Sequence, residues 1–573
     1  TEIYTLSLHD ALPILNEPAV SLAQLWKSAA INTDSAKCHF IWCQSAHMAK
    51  MATSRFKLLL CLTAAILESA TMCTSDVENQ QPRILLQPFE VMQSFHSHFM
   101  NSLAVFLSSY YEVSVISEEN HRFTTRHISD NKDLNFIKYQ TLRKTNQPVM
   151  MDIKDDGQLP MKVIQDIKSK GEEIMRMRYS DAGLLKTVRE GNYSLLIYNS
   201  MDYGTAAVCQ FLDIPCIQVI TSGMGSVHNP YSLELVNSVP YMLSEYTDLN
   251  SLSKRIVNTL FYLSDHYMRT LYFYPGVVSV ARDIRLLDHN TADSIDYLTM
   301  AAETPVSSLI YTNNAADCHA TLPSSYVRIG GALLSNTTLE RQFQAIMDRS
   351  IDGVIVVAFG RGAGTFNQHT LRLMIKAFGK LNHTVLWSIG SQMEVFKDTY
   401  TIPPNVYLFN SIPQNALLAH PNTQLLVTHS GQGSTTEAIY HGVPILATPL
   451  RMDQKTNAKK LTKLLGMGLT LDIRALTAQE LYTKIQHILS TNEYKTNAMM
   501  ASHTFRQCDR YPERNILNTI KDAINSPVNI NSDRKPKHWV QLISVDVLII
   551  VSSLPVVVFS CLVKCCTIRQ KKV

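Results

Sequence analysis

Leu425–Ala458 reads LLVTHSGQGSTTEAIYHGVPILATPLRMDQKTNA, and the reading of this stretch decides the fold. An apolar strand, Leu425 to Val427, ends in Thr428-His429-Ser430-Gly431-Gln432-Gly433. A helix-like run follows from about Ser434 to His441, and a second strand, Val443 to Ala447, leads out to Asp453-Gln454. Backbone N–H groups in such a Gly-rich turn, together with a helix N-terminus, attract a diphosphate. Glu437, one turn inside the helix, is placed to accept hydrogen bonds from ribose hydroxyls. The carboxylate and amide of Asp453 and Gln454 suit the hydroxyls of a sugar.

Outward from this stretch, the chain alternates strand and helix patterns in two halves, which predicts parallel sheets flanked by helices. In the later half Gly353 to Phe359 reads as a strand, His369 to Leu381 as a helix, and Thr384 to Ile389 and Val406 to Phe409 as strands. In the earlier half Arg83 to Phe89 reads as a strand, Ser97 to Tyr110 as a helix and Glu112 to Ser117 as a strand. Tyr193 to Tyr198 and Pro215 to Thr221 then flank a helical run, Thr205 to Leu212. The aromatic-rich middle, about 225 to 300, has a mostly helical pattern and is where an acceptor pocket could be built. In open parallel sheets ligands sit outside the carboxyl ends of the strands, where the His429 turn falls.

The run from Leu425 resembles the signature of the UDP-glycosyltransferases, the family that includes the membrane-bound UDP-glucuronosyltransferases. Ile412-Pro413-Gln414-Asn415 and Leu418-Ala419-His420-Pro421 resemble the family's lead-in to that signature. The resemblance implies two facing Rossmann-like domains (the GT-B architecture), the first (76–330) for the acceptor and the second (331–525) for the UDP-sugar. It implies that His429 and the amides of Gly431, Gln432, Gly433 and Ser434 hold the diphosphate, Glu437 the ribose, and Asp453 and Gln454 the sugar, with Gln414 beside them. Gly360-Arg361-Gly362-Ala363 takes the place of the family's Ser-rich phosphate loop, and Arg361 could pair with phosphate there. Gly360 to Gly364 also hints at a dinucleotide fingerprint. Its third glycine is missing, and no acidic residue ends the next strand at Ile389-Gly390.

Transfer to a hydroxyl requires a base, and a neutral His is suited to that near pH 7. Ser97-His98-Phe99-Met100-Asn101 resembles the family's motif around its catalytic His, which makes His98 the expected base and His96 the fallback. In the family an Asp on a later strand end holds that His; here Asn199 stands at that position, and Asp202 is the candidate substitute. Two more departures touch the donor site. Ser411 replaces a Trp whose ring can stack on uracil, a loss worth roughly 0.5 to 1.5 kcal/mol beyond area burial. Ser430 stands where the family has a glycine.

The expected activity is therefore transfer of glucuronate or glucose from a UDP donor to the hydroxyl of a small lipophilic acceptor, with inversion. A second reading is a catalytically weakened nucleotide-sugar-binding or regulatory protein of the same fold. No cofactor or metal is expected, the UDP-sugar being a co-substrate. Homo- or hetero-oligomers stay open.

Composition and the two ends set further expectations. A chain of 573 residues, 46% hydrophobic, can build large cores. A net charge of +4 is too small at this length to imply a nucleic-acid surface. Residues 1 to 14, TEIYTLSLHDALPI, resemble a sequencing adapter read in frame, so 1–50 is set aside as artefact or leader, with Met48 or Met51 as the start. The basic, apolar and small-residue order of 51–75 reads as a secretory signal. After a polar linker, 526–541, Leu542 to Val563 is an apolar run of membrane-spanning length, with Trp539 on one side and the basic tail 564–573 on the other. These features predict a single-pass membrane protein with lumenal domains and a cytosolic tail, and the family resemblance implies retention in the endoplasmic reticulum. Lumenal exposure would make Asn192, Asn336 and Asn382 glycosylation acceptors. The cysteines show no CxxC spacing, and neither a disulfide framework nor a zinc site is expected from them.

Overall fold

The computed structural model describes residues 81–88, 95–118, 134–139, 160–202, 204–223, 239–268, 272–286, 305–311, 315, 322, 325–335, 337–360, 366–390, 393, 399–450, 453–508 and 510–525. From Pro82 onward these belong to one compact unit. The expected leader, signal, linker, membrane span and tail lie outside the described residues, as do Asn336, Arg361 and Gly362. Among the described residues no helix is long and apolar enough to cross a membrane.

The first half is built on strands β1 (Arg83–Gln87), β2 (Glu112–Glu118), β3 (Leu134–Tyr139), β4 (Leu195–Asn199), β5 (Cys216–Ile220), β6 (Pro305–Ile310) and β7 (Tyr326–Arg328). They form a seven-stranded sheet in the order β3-β2-β1-β4-β5-β6-β7, every pair parallel. Helices α1 (Phe95–Ser108), α2 (Pro160–Tyr179), α3 (Ala182–Glu190), α4 (Thr205–Leu212), α5 (Leu252–Met268) and α6 (Tyr274–Asp283) connect them. Strands such as Leu195–Asn199 are buried throughout, as expected for a sheet covered on both faces. One face packs Leu85, Leu196 and Tyr198 against Met175, Leu184 and Val208; the other packs Ile84, Leu86 and Ile197 against Met100, Leu103 and Leu107.

The second half carries β8 (Val354–Ala358), β9 (Thr384–Ser388), β10 (Val406–Phe409), β11 (Thr423–Thr428), β12 (Ile445–Ala447) and β13 (Gly468–Thr470). Their order is β10-β9-β8-β11-β12-β13, again all parallel. The helices are α7 (Arg341–Arg349), α8 (Gln368–Phe378), α9 (Gln414–Ala419), α10 (Gln432–His441), α11 (Gln454–Lys459), α12 (Ala478–Ser490), α13 (Asn492–Cys508) and α14 (Pro512–Asn525). Each sheet reverses its strand order once, between β1 and β4 and between β8 and β11. Connections on either side of such a point diverge and leave a crevice at the carboxyl ends of those strands.

Two features differ from the sequence expectation. The boundary between the halves is not a single cut near residue 330. Ile516, Ile520 and Ala523 of α14, spaced to share one helix face, are buried in the core of the first sheet with Ile84, Leu86 and Ile217. Glu513 on the same helix accepts a hydrogen bond from the Leu333 amide at 2.9 Å. A disulfide also joins Cys209 to Cys216, closing the turn from α4 into β5. A seven-residue separation is bridgeable because helix and strand meet there with Cα atoms 6.3 Å apart.

Since Ile520 is fully buried, Ile520→Ala should destabilise the first half by about 2–5 kcal/mol. Thermal unfolding of the full chain reads this out. An unchanged melting temperature would mean that α14 is not part of that core.

Candidate functional site

The crevice of the second sheet forms where β8 and β11 end side by side, with Ala358 paired to Thr428. After β11 the chain places His429, turns through Ser430 in the left-handed region (φ 63°), and enters α10 from Gly431. His429 is wedged between two glycines. A Cβ on Gly431 would lie 2.6 Å from the ring Nε2, and one on Gly360, at the end of β8, 3.1 Å from Cε1. Only bare backbone lets the ring and both loops come this close. The cap residue Gly431 offers no side-chain hydrogen bond to α10, so that helix start presents a partial positive charge.

Gln414 of the lead-in ties the next layer together. Its Nε2 donates to Glu437 Oε2 at 2.6 Å and to Ser434 Oγ at 3.1 Å. Among the described residues that is the one hydrogen bond made to the Glu437 carboxylate. Half-buried and with so little compensation, Glu437 is pushed up to about 7 by desolvation, the Gln414 bond opposing the shift. Asp453 behaves alike: desolvation raises it to about 6, against a 2.8 Å bond from Asn457 Nδ2. Gln454 Oε1 accepts from the Leu450 amide at 2.8 Å. The His429 turn, the start of α10 and the Glu437 and Asp453 carboxylates are tied together through Gln414 and through Asn457, which also donates to the Ser430 carbonyl at 3.1 Å. Such a set accepts a phosphate ester and donates or accepts at several hydroxyls. Ser411 is exposed beside it.

The crevice of the first sheet brings α1 to the end of β4. His98 is exposed in the first turns of α1. His96 is partly buried, and desolvation lowers it to about 4. Its Nδ1 lies 2.5 Å from Thr221 Oγ1, and Asn199 Nδ2 donates to the same hydroxyl at 2.9 Å. Asn199 therefore reaches a histidine through Thr221, and that histidine is His96. Asp202 is engaged elsewhere: its carboxylate pairs with buried Arg178 and accepts from Gln87 Nε2 at 2.8 Å. This correction has a plain cause, since a carboxylate enclosed beside Arg178 must pair with it. Asp202 is consequently not a substitute partner for the histidines.

Contacts that the sequence did not indicate hold the two crevices face to face. Gln432 Nε2 donates to the Tyr311 carbonyl at the end of β6 at 3.4 Å, and its Oε1 lies 2.9 Å from where a Cβ on Gly223 would stand. Thr456 Oγ1 of α11 donates to the Met242 carbonyl at 2.6 Å. Glu245 accepts from Lys459 at 2.7 Å and lies 3.5 Å from Lys455. Thr221 carried one sequence signal: like Thr428, it closes an apolar strand run at the carboxyl edge. Asn192 and Asn382 are both exposed in loops.

Residues 84–573 match the family model described as UDP-glucoronosyl and UDP-glucosyl transferase. The chain is 26% identical over 333 residues to UDP-glucuronosyltransferase 1A9 of Mus musculus, covering 57% of this chain and 60% of the relative. It is 25% identical over 346 residues to UDP-glucuronosyltransferase 3A1 of Bos taurus, covering 60% and 64%. The chain thus spans under two thirds of the length of these relatives. Among solved structures, glycosyltransferase VinC in complex with dTDP superposes with a TM-score of 0.53 at 15% identity, over 78% of this chain and all of that one. The calicheamicin glycosyltransferase CalG4 gives 0.54 at 12%, with the same coverage. At such identities the superpositions establish a shared fold, the GT-B arrangement of two parallel-sheet domains.

Two stability effects follow from the geometry. Because folding raises Glu437 from 4.5 to about 7, the folded chain binds its proton more tightly than the unfolded chain. Stability from this group is full at low pH and is lost as pH rises from about 4.5 through 7. Glu437→Gln should melt higher than the parent above pH 7 and converge with it below about pH 4.5; parallel melting curves at all pH values would contradict the assignment. Ser430 is fully buried at positive φ, and its hydroxyl has no hydrogen-bond partner among the described residues. Ser430→Gly should add up to about 1 kcal/mol, the relieved left-handed strain outweighing the entropy of glycine. A lower melting temperature would argue against that strain.

Proposed function

The chain belongs to the UDP-glucoronosyl and UDP-glucosyl transferase family, and from that membership we propose that it moves a sugar from a UDP donor to the hydroxyl of a small lipophilic acceptor. Glucuronate and glucose are the donors considered, with inversion at the sugar carbon. What supports this reading is the crevice at β8 and β11, where His429 leads into the start of α10 and Glu437, bonded to Gln414, lies in the second turn of that helix. The helix end offsets diphosphate charge. Glu437 takes the ribose hydroxyls, and the donor favours its ionised form. Asp453 and Gln454 meet the sugar hydroxyls from α11.

On the acceptor side, His98 is the proposed base. It is exposed on α1, within the half that Gln432, Thr456 and Glu245 hold against the donor half. It takes the acceptor proton as the acceptor oxygen attacks the sugar carbon and the UDP group leaves. No carboxylate on β4 supports the imidazolium, since Asn199 is uncharged and Asp202 is paired with Arg178. That observation favours a second reading, in which the chain binds nucleotide-sugars with little turnover. We further propose an endoplasmic reticulum membrane protein anchored through Leu542 to Val563, with the two sheets in the lumen. The apolar run and the exposed loop positions of Asn192 and Asn382 support this.

The test incubates the chain with a panel of UDP-sugars and phenolic or steroidal acceptors and measures UDP release and UDP binding. Turnover with at least one pair is expected, and His98→Ala should abolish most of it. Glu437→Gln should weaken UDP binding by about 10-fold to 100-fold, the range for losing hydrogen bonds to a charged group. Measurable UDP binding with no turnover for any pair would sink the enzymatic reading. Full activity in His98→Ala would sink the base assignment.

A further inference from the structure

We propose that His96 is a fixed hydrogen-bond donor beside the base, held in that role by Asn199, which donates to Thr221, and by Thr221, which donates to its Nδ1. The argument begins at β4. Asn199 is fully buried, and its Oδ1 accepts the Met201 amide at 2.9 Å. A backbone N–H can only donate, so the amide group is oriented with its carbonyl toward Met201 and its NH₂ toward Thr221. Asn199 Nδ2 therefore donates to Thr221 Oγ1 at 2.9 Å. An amide nitrogen accepts nothing in return.

Thr221, also fully buried, must place its own hydroxyl proton elsewhere. Among the described residues its hydroxyl meets two side chains, Asn199 and, at 2.5 Å, His96 Nδ1. The proton goes to Nδ1, which thus accepts. A neutral imidazole has one acceptor and one donor nitrogen, so the ring carries its hydrogen on Nε2. Desolvation keeps the ring neutral in the range where the chain would work, so the doubly protonated state does not intervene.

The identity of residue 199 sets this direction. A carboxylate there would accept the Thr221 proton. Thr221 would then accept from Nδ1–H, and Nε2 would be left bare, as a base requires. Asn199 therefore does more than withhold a charge: it runs the same chain of bonds the opposite way. The consequence for catalysis rests on the transferase reading above. With Nε2 of His96 protonated, His98 has to take the acceptor proton, while His96 can only donate to an acceptor oxygen or a neighbouring group. Thr221 is the positioning residue.

Nitrogen-15 spectra of the full chain in detergent micelles, with ¹⁵N-labelled histidine, test this directly. His96→Gln removes the His96 signals and so identifies them. In the unsubstituted chain the one-bond N–H coupling is expected at Nε2 and none at Nδ1. Asn199→Asp should move the proton to Nδ1, and Thr221→Val should release the constraint and populate both tautomers. A proton on Nδ1 in the unsubstituted chain overturns the proposal, as does an Nε2 proton that stays put in Asn199→Asp or a tautomer unmoved by Thr221→Val. Failure of the transferase reading would instead appear as absent UDP release with this tautomer pattern intact.

Discussion

In a parallel sheet every strand leaves at the same edge, and this constraint governs both halves of the molecule. Loops that follow the strands accumulate at that edge, and the reversal of strand order opens a crevice in it. Here both reversals, at β1/β4 and at β8/β11, are loaded with polar residues, while the strands behind them are apolar. Facing the two crevices toward one another then needs only a few contacts. Gln432, the first residue of α10, reaches the ends of β5 and β6, and α11 is pinned to the segment around Met242 and Glu245. α14, which follows the second sheet in sequence, returns to the first core and packs there.

The polar groups at the two edges solve different electrostatic problems. At the β8/β11 edge the carboxylates of Glu437 and Asp453 are partly desolvated with one side-chain donor apiece, which raises their affinity for protons. Such groups are poised for a ligand that brings hydroxyl donors. At the other edge the carboxylate of Asp202 is fully committed to Arg178, Gln87 and the polar cluster around Tyr179. That cluster supports the sheet rather than a substrate. Destabilising carboxylates thus sit where a ligand can compensate them, and the compensated one sits inside.

How much of this was legible in the sequence depended on whether the cause was local. The β11–turn–α10 unit could be read because the apolar strand, the glycines and the helix follow one another directly. Even so, α10 starts at Gln432 rather than near Ser434, because Gly431 serves as an extended cap; Gly433 and Ser434, weak helix formers in the first turn, hid that earlier start. The spacing of Ile516, Ile520 and Ala523 says that α14 buries a face, but not which sheet receives it. The Cys209–Cys216 bridge depends on where a helix meets a strand, and the Arg178–Asp202 pair on two elements separated by 24 residues. Spacing rules see neither. Thr221 was visible only as the end of a strand, since its importance comes from what folds against its hydroxyl.

The position of Asn199 shows why residue type and hydrogen-bond direction have to be considered together. Read as a lost charge, the residue implies only a weaker imidazolium and hence a slower version of the same chemistry. Placed in its geometry, it fixes an amide whose two ends cannot exchange roles, because the Met201 amide occupies one of them. The direction of donation then propagates through Thr221 to a ring two residues from the proposed base. A substitution that conserves size and hydrogen-bonding capacity therefore reverses a donor and an acceptor at the far end of the chain. The crevice at β8 and β11 shows no comparable reversal: Gln414 donates to Glu437, Asn457 to Asp453, and Gln454 accepts from the Leu450 amide.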